Sequence, residues 1–103
     1  MKTHFSKHMT EDRADRYVMI ATKVGFGEVL YTATEDHRGR LEVTRIMELT
    51  STGVVIVRAM DKTVVTMYCA TIATALNLFH MNRLPPELYK TIRSNEKRGY
   101  CNI

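Results

Sequence analysis

Apolar and polar positions alternate most clearly between residues 41 and 50. Leu41, Val43, Met47 and Leu49 interleave there with Glu42, Thr44, Glu48 and Thr50, and a period of two predicts a half-covered strand. Arg45 falls on the apolar parity and Ile46 on the polar one. Either a bulge shifts the register at this point, or Arg45 points toward the covered face and needs an anionic partner or an open cleft. Residues 54–59 and 63–70 are two apolar runs rich in Val, Ile, Thr and Tyr, separated by Asp61-Lys62. This pattern predicts a β-hairpin, and its consecutive apolar positions place it mid-sheet with both faces covered. A two-residue turn sets Arg58 opposite Val65, whereas a three-residue turn or a bulge sets Arg58 with Thr66 and Tyr68. Ser51-Thr52-Gly53 links residues 41–50 to this hairpin tightly enough for an antiparallel meander. Residues 28–34 (EVLYTAT) predict a further strand with the character of a sheet edge, followed by a charged loop over 35–40.

Helical periodicity occurs on both sides of this region. Ala14, Tyr17, Val18, Ala21 and Val24 form one apolar stripe, with Thr10 as a cap ahead of Glu11 and Asp12 and Gly25 as the stop. A start at Thr3 or Ser6 would instead stack His4, His8 and Asp12 on one face. Residues 71–81 repeat through Ile72, Ala75, Leu76 and Phe79 behind a Thr71 cap. Leu84-Pro85-Pro86 ends that helix, and Pro86 opens a third one that runs to Gly99. Leu88 and Ile92 are its only clear anchors, so a loose hold is expected. The sum is an α+β fold: an N-terminal helix, an antiparallel sheet of about four strands in a meander, and two C-terminal helices.

At 103 residues the chain makes one domain, read as a core over 1–83 and a basic helical extension over 84–103. No run approaches the roughly 18 apolar residues that span a bilayer, and the N-terminus lacks the apolar centre of a signal peptide. The two cysteines are too few for a disulfide framework and lack metal-ligand spacing, so neither a metal nor any other cofactor is expected, and a reducing cytoplasm is the simplest home. The net charge of +4 is uneven. Residues 1–50 carry eight Lys or Arg against eight Asp or Glu, whereas residues 51–103 carry seven against three. The excess gathers at Arg83, Lys90, Arg93, Lys97 and Arg98, and of these Lys90, Arg93, Lys97 and Arg98 are the candidate phosphate contacts.

Phe5-Ser6-Lys7-His8 followed by Arg13 or Arg16, together with Thr66-Met67-Tyr68 closing the 54–70 hairpin, resembles a group of short bacterial and phage proteins. They are related to the BrnT and RelE toxins of the barnase–EndoU–colicin–RelE ribonuclease fold. The resemblance covers about the first four-fifths of the chain. It departs from the group where an Arg-Gly-Ile-like turn is replaced by Arg16-Tyr17-Val18-Met19-Ile20. It implies a cytoplasmic, phage- or mobile-element-type protein that binds RNA, with metal-independent RNA cleavage as the associated activity. Such cleavage needs a base, an acid and cations around a pentavalent phosphate. His8, Arg58 and Tyr68 are the candidate catalytic residues, and Arg45, Thr66, His4 and Arg13 the candidate substrate contacts. The competing expectation is a non-catalytic accessory protein that docks onto a host protein. A third is a homodimer made by edge pairing of the strand at 28–34.

Overall fold

The computed structural model describes residues 14–37 and 43–102. Helix α1 (Ala14–Met19) continues into a π-helical turn (Ile20–Val24). Strands β1 (Val29–His37), β2 (Val43–Thr50), β3 (Val54–Arg58) and β4 (Val64–Cys69) follow. Helices α2 (Ile72–Leu78) and α3 (Pro86–Lys97) come next, then a 3-10 turn (Tyr100–Asn102). The sheet is an antiparallel meander in the order β1-β2-β3-β4, so the α+β architecture read from periodicity is the one observed.

Both faces of the central hairpin are covered, as its unbroken apolar runs require. On the first face Ile20 packs with Val54, Ile56, Val64, Met67 and Cys69. On the second, Leu49, Val55 and Ala70 meet Ala75, Leu88 and Ile92 from the C-terminal helices and Leu84 from the link between them. The stripe read for the first helix is corrected by this packing. Val18 is 55% exposed and Ala14 and Ala21 are exposed, while Ile20 is the residue that reaches the core. Tyr17, Met19 and Val24 pack around it, and the segment closes in a π turn in which Gly25 N–H donates to the Ile20 carbonyl at 2.7 Å. The Thr10 cap lies outside the described residues.

β1 is longer than its apolar run. Glu35, Asp36 and His37, expected in a loop, belong to the strand and pair with Arg45, Thr44 and Val43 of β2. The Glu35–Arg45 pairing explains why charge does not end the strand, since opposite charges facing one another across a ladder are favourable. It also decides the Arg45 question. The ladder is continuous from Tyr31/Leu49 to His37/Val43, so no bulge intervenes, and Arg45 shares the parity of Met47 and Leu49 with a carboxylate opposite.

The β2–β3 connection requires a glycine. Gly53 has φ +83°, and a Cβ there would lie 3.0 Å from both Ile92 Cγ1 and Asn95 Nδ2. Thr50, buried beside it, accepts from the Val54 N–H at 3.2 Å. Asn95 Nδ2 donates to the Thr52 carbonyl at 2.9 Å, which ties α3 to this turn. The β3–β4 loop has three residues, Met60-Asp61-Lys62: Ala59 N–H donates to the Thr63 carbonyl at 2.9 Å, and Lys62 sits at φ 71°. Asp61 Oδ1 accepts from Thr63 N–H at 2.9 Å, a local bond that favours this tight reversal.

Thr71 caps α2 as expected, accepting from Thr74 N–H at 3.1 Å. Pro86 opens α3 with its missing N–H at a position where no intrahelical donor is needed. The expectation of a loosely held extension after residue 83 is corrected. Leu84, Leu88, Ile92 and Asn95 are all buried, with Ile92 fully inaccessible, because α3 lies against the β2–β3 turn that Gly53 opens. The chain then passes to the first face, where Tyr100 and Cys101 pack against its core and Cys101 Sγ donates to the Ala70 carbonyl at 3.3 Å.

Candidate nucleic-acid interface

The outward side of α3 follows from its buried side. With Leu88, Ile92 and Asn95 pointing inward at spacings of four and three, Lys90, Arg93 and Lys97 repeat at three and four on the opposite flank. Together with Tyr89, Ser94 and Arg98 they line an open groove of about 470 Å³. The positions from Lys90 to Lys97 span about 10 Å along the helix axis. All four cations are exposed, and Tyr89 presents 46% of its surface. The carboxylates of α3 stand elsewhere: Glu87 lies in the first turn, where the positive helix end favours it, and Glu96 is half-buried. Neither lines the groove. Lys97 and Arg98 also sit at the negative end of the helix, so the geometry that collects the charge is itself stable.

Lys90, Arg93, Lys97 and Arg98 were all legible in the sequence as a basic patch. Tyr89 and Ser94 were not singled out. The signal was there for Tyr89: an aromatic residue one place after the buried Leu88 falls off the apolar stripe and must be displayed.

Of the candidate catalytic residues, Arg58 and Tyr68 lie on opposite faces of the sheet and His8 lies outside the described residues. Arg58 lies on the first face, where Nε donates to Glu48 Oε1 at 2.9 Å and Nη1 to the Lys62 carbonyl at 2.9 Å. Tyr68 packs on the second face, and Thr66 shares its parity through the pairings Val55↔Tyr68 and Val57↔Thr66. The register explains the separation. A three-residue turn and a bulge are both present, and together they pair Arg58 with Val64 and leave Val65 as the extra residue, so Arg58 and Thr66 point to opposite sides. Arg45 is on the second face too, across the sheet from Arg58. His4, His8 and Arg13 lie outside the described residues.

The chemistry of the individual groups agrees with a structural role for the hairpin. Burial pushes the Tyr68 hydroxyl up from its usual value of 10.0, with the Glu35 carboxylate adding to this and Arg16 opposing it, so Tyr68 stays protonated at neutral pH. Burial raises Cys69 from 9.0 to about 11, with Cys101 contributing further and Arg16 opposing. Thr66 Oγ1 is buried with no hydrogen-bond partner among the described residues. Below Arg58, the first face carries a cleft of about 300 Å³ lined mainly by Tyr17, Phe26, Ile56, Val64 and Met67. The Tyr17 and Phe26 rings meet there with centroids 6.0 Å apart. Glu48 and two of the Arg58 nitrogens are already engaged with each other and with the turn, so this cleft offers a phosphate little free charge. Among the described residues no group of three His, Cys, Asp or Glu side chains could hold a metal ion, and no helix is long and apolar enough to cross a membrane.

Set against known families, curated proteins and solved structures, the chain gives no match. The resemblance to BrnT and RelE therefore rests on the short motifs quoted above.

Proposed function

We propose that this protein binds nucleic acid through the outward face of α3, gripping the backbone of a single-stranded segment without cleaving it at this face. The observation that carries this reading is the convergence of Lys90, Arg93, Lys97 and Arg98 with the exposed Tyr89 in one groove free of carboxylates. Cations at about 5 Å intervals along a helix track successive phosphates, and each neutralised phosphate releases condensed counterions. The tyrosine favours single strands, because an unpaired base can stack on its ring where a paired one cannot. In this reading the protein is a RelE- or BrnT-like chain of phage or mobile-element type that has the toxins' ligand class. RNA and single-stranded DNA present the same phosphates, and they are separated by assay.

The test is fluorescence anisotropy with single-stranded RNA, single-stranded DNA and duplex oligonucleotides over a salt series. Four contacts predict a slope of log affinity against log salt near −3 for single strands. The triple variant K90A/R93A/K97A should lose most of that slope, and Tyr89→Ala should weaken binding by about 1–3 kcal/mol without changing it. Salt-independent binding, or a triple variant that binds oligonucleotide as well as the parent, would sink the proposal. Salt-independent capture of a protein instead would favour the accessory-factor reading.

A further inference from the structure

The cleft on the first face combines apolar walls with one polar pair. Ile56, Val64 and Met67 line it from the core, and the rings of Tyr17 and Phe26 stand beside them. Phe26 is 36% exposed, yet the loop that carries it is tied down on both sides. Thr52 Oγ1 donates to the Gly25 carbonyl at 2.7 Å, Glu28 N–H donates to Ser51 Oγ at 3.1 Å, and Ser51 N–H donates to the Glu28 carbonyl at 2.8 Å. The aromatic wall is therefore in place before any ligand arrives, and such preorganisation lowers the cost of binding. The polar pair, by contrast, is half used. Arg58 Nε donates to Glu48 Oε1 in a single bond at 2.9 Å, whereas a forked pair would also join Nη2 to Oε2. That second bond is absent among the described residues, which leaves one donor beside Nε and one acceptor beside Oε1. Both side chains are only 20% exposed, so bonds made there are partly shielded from water.

We infer that this cleft binds a small neutral aromatic amide or lactam, its ring against Tyr17 and Phe26 and its C=O and N–H on Arg58 Nη2 and Glu48 Oε2. Charge complementarity selects the class. The two side chains offset each other, so an anion attracted by Arg58 meets Glu48, and a cation attracted by Glu48 meets Arg58. A neutral group that accepts and donates on adjacent atoms satisfies both. The volume of about 300 Å³ sets the size: it holds about ten non-hydrogen atoms, at a water's share of about 30 Å³ each. One ring with one amide fills it, and a ring is favoured because Tyr and Phe faces take a second aromatic offset or edge-on. Peptide backbone is a poor occupant, since a trans amide carries its N–H and C=O on opposite edges. A primary amide or a lactam carries them on one. This site is separate from the α3 groove, and the inference does not rest on what that groove binds.

Titration of the full chain with small probes, followed by NMR at the methyl groups of Ile56, Val64 and Met67, tests this. Benzamide, as the primary amide, and pyridone, as the lactam, should move these signals saturably in the millimolar range. Benzoate carries a charge, and N-methylbenzamide has its N–H and C=O on opposite edges; each should bind about tenfold more weakly or worse. Phe26→Ala leaves the loop's ties in place, so it should keep the far-ultraviolet spectrum and weaken benzamide several-fold. Movement with only one of benzamide and pyridone assigns the site to that chemistry. Cleft signals that move with neither overturn the inference, as does benzoate or N-methylbenzamide binding as tightly as benzamide. A Phe26→Ala variant that binds benzamide like the parent overturns it as well.

Discussion

Cys69 shows how burial sets the chemistry of a single residue. Its thiol is 3% exposed in the first-face core, and burial raises it from 9.0 to about 11. The neutral form is the folded form's preference, so the unfolded chain loses its proton first as pH rises. Stability is therefore level below pH 9, falls between pH 9 and about 11, and levels off above. Tyr68 and Cys101, both shifted upward, act in the same direction. Urea unfolding across this window should show a loss on the order of 2 kcal/mol. Cys69→Ala should remove much of that alkaline loss, at the cost of a small cavity at neutral pH. An unchanged pH profile in the variant would show that other groups control it. The sequence placed Cys69 in a core strand correctly. It left the side of Arg58 open between a two-residue turn and a three-residue turn or bulge; the extra residue at Val65 decides it by setting Arg58 on the face opposite Thr66 and Tyr68, and bulges leave little trace in composition.

Among the elements, α3 is the one whose reading changed most. Two anchors in a polar helix look weak on paper. What the periodicity could not supply was the partner surface: Gly53, by lacking a Cβ, lets Ile92 and Asn95 descend onto the β2–β3 turn. Asn95 is polar and would be assigned to solvent by pattern alone, yet it is 7% exposed and bonds to the Thr52 carbonyl. Ile92→Ala should consequently cost about 2–5 kcal/mol, as for other fully buried aliphatic residues. Lys90→Ala, on the opposite flank, should change stability by no more than about 0.5 kcal/mol. Thermal and urea unfolding of the two variants measure this contrast, and equal effects would mean that α3 is not part of the core. The strands were easier to read than the helices because period two survives a short window. The first helix buries Ile20 and exposes Val18, two apolar residues of one short segment, and composition does not say which of them meets the sheet.

At the level of the whole molecule, the layers separate the tasks. The sheet and its two covered faces hold the fold, the displayed side of α3 holds the charge, and β1 ends the sheet among the described strands. The candidate site was legible as far as it depended on charge counted along the chain. It was not legible where it depended on residues from distant strands facing one another, since a register has to be known before Arg58 and Tyr68 can be assigned to the same or opposite faces.

The two-sided character of α3 would make any ligand of its outward face a folding ligand. The unfolded chain has no groove, so any ligand held by Lys90, Arg93 and Lys97 must favour the state in which Ile92 is seated. Saturating ligand adds RT ln(1 + [L]/Kd) to the unfolding free energy, about 2.7 kcal/mol at a hundredfold excess over Kd. For a domain of this size that is a rise in melting temperature of roughly 10 °C or more, and it should disappear in K90A/R93A/K97A. Differential scanning fluorimetry with and without oligonucleotide reads it directly. Occupancy of the surface and persistence of the fold are then one equilibrium: the pool of intact protein would track the supply of its ligand.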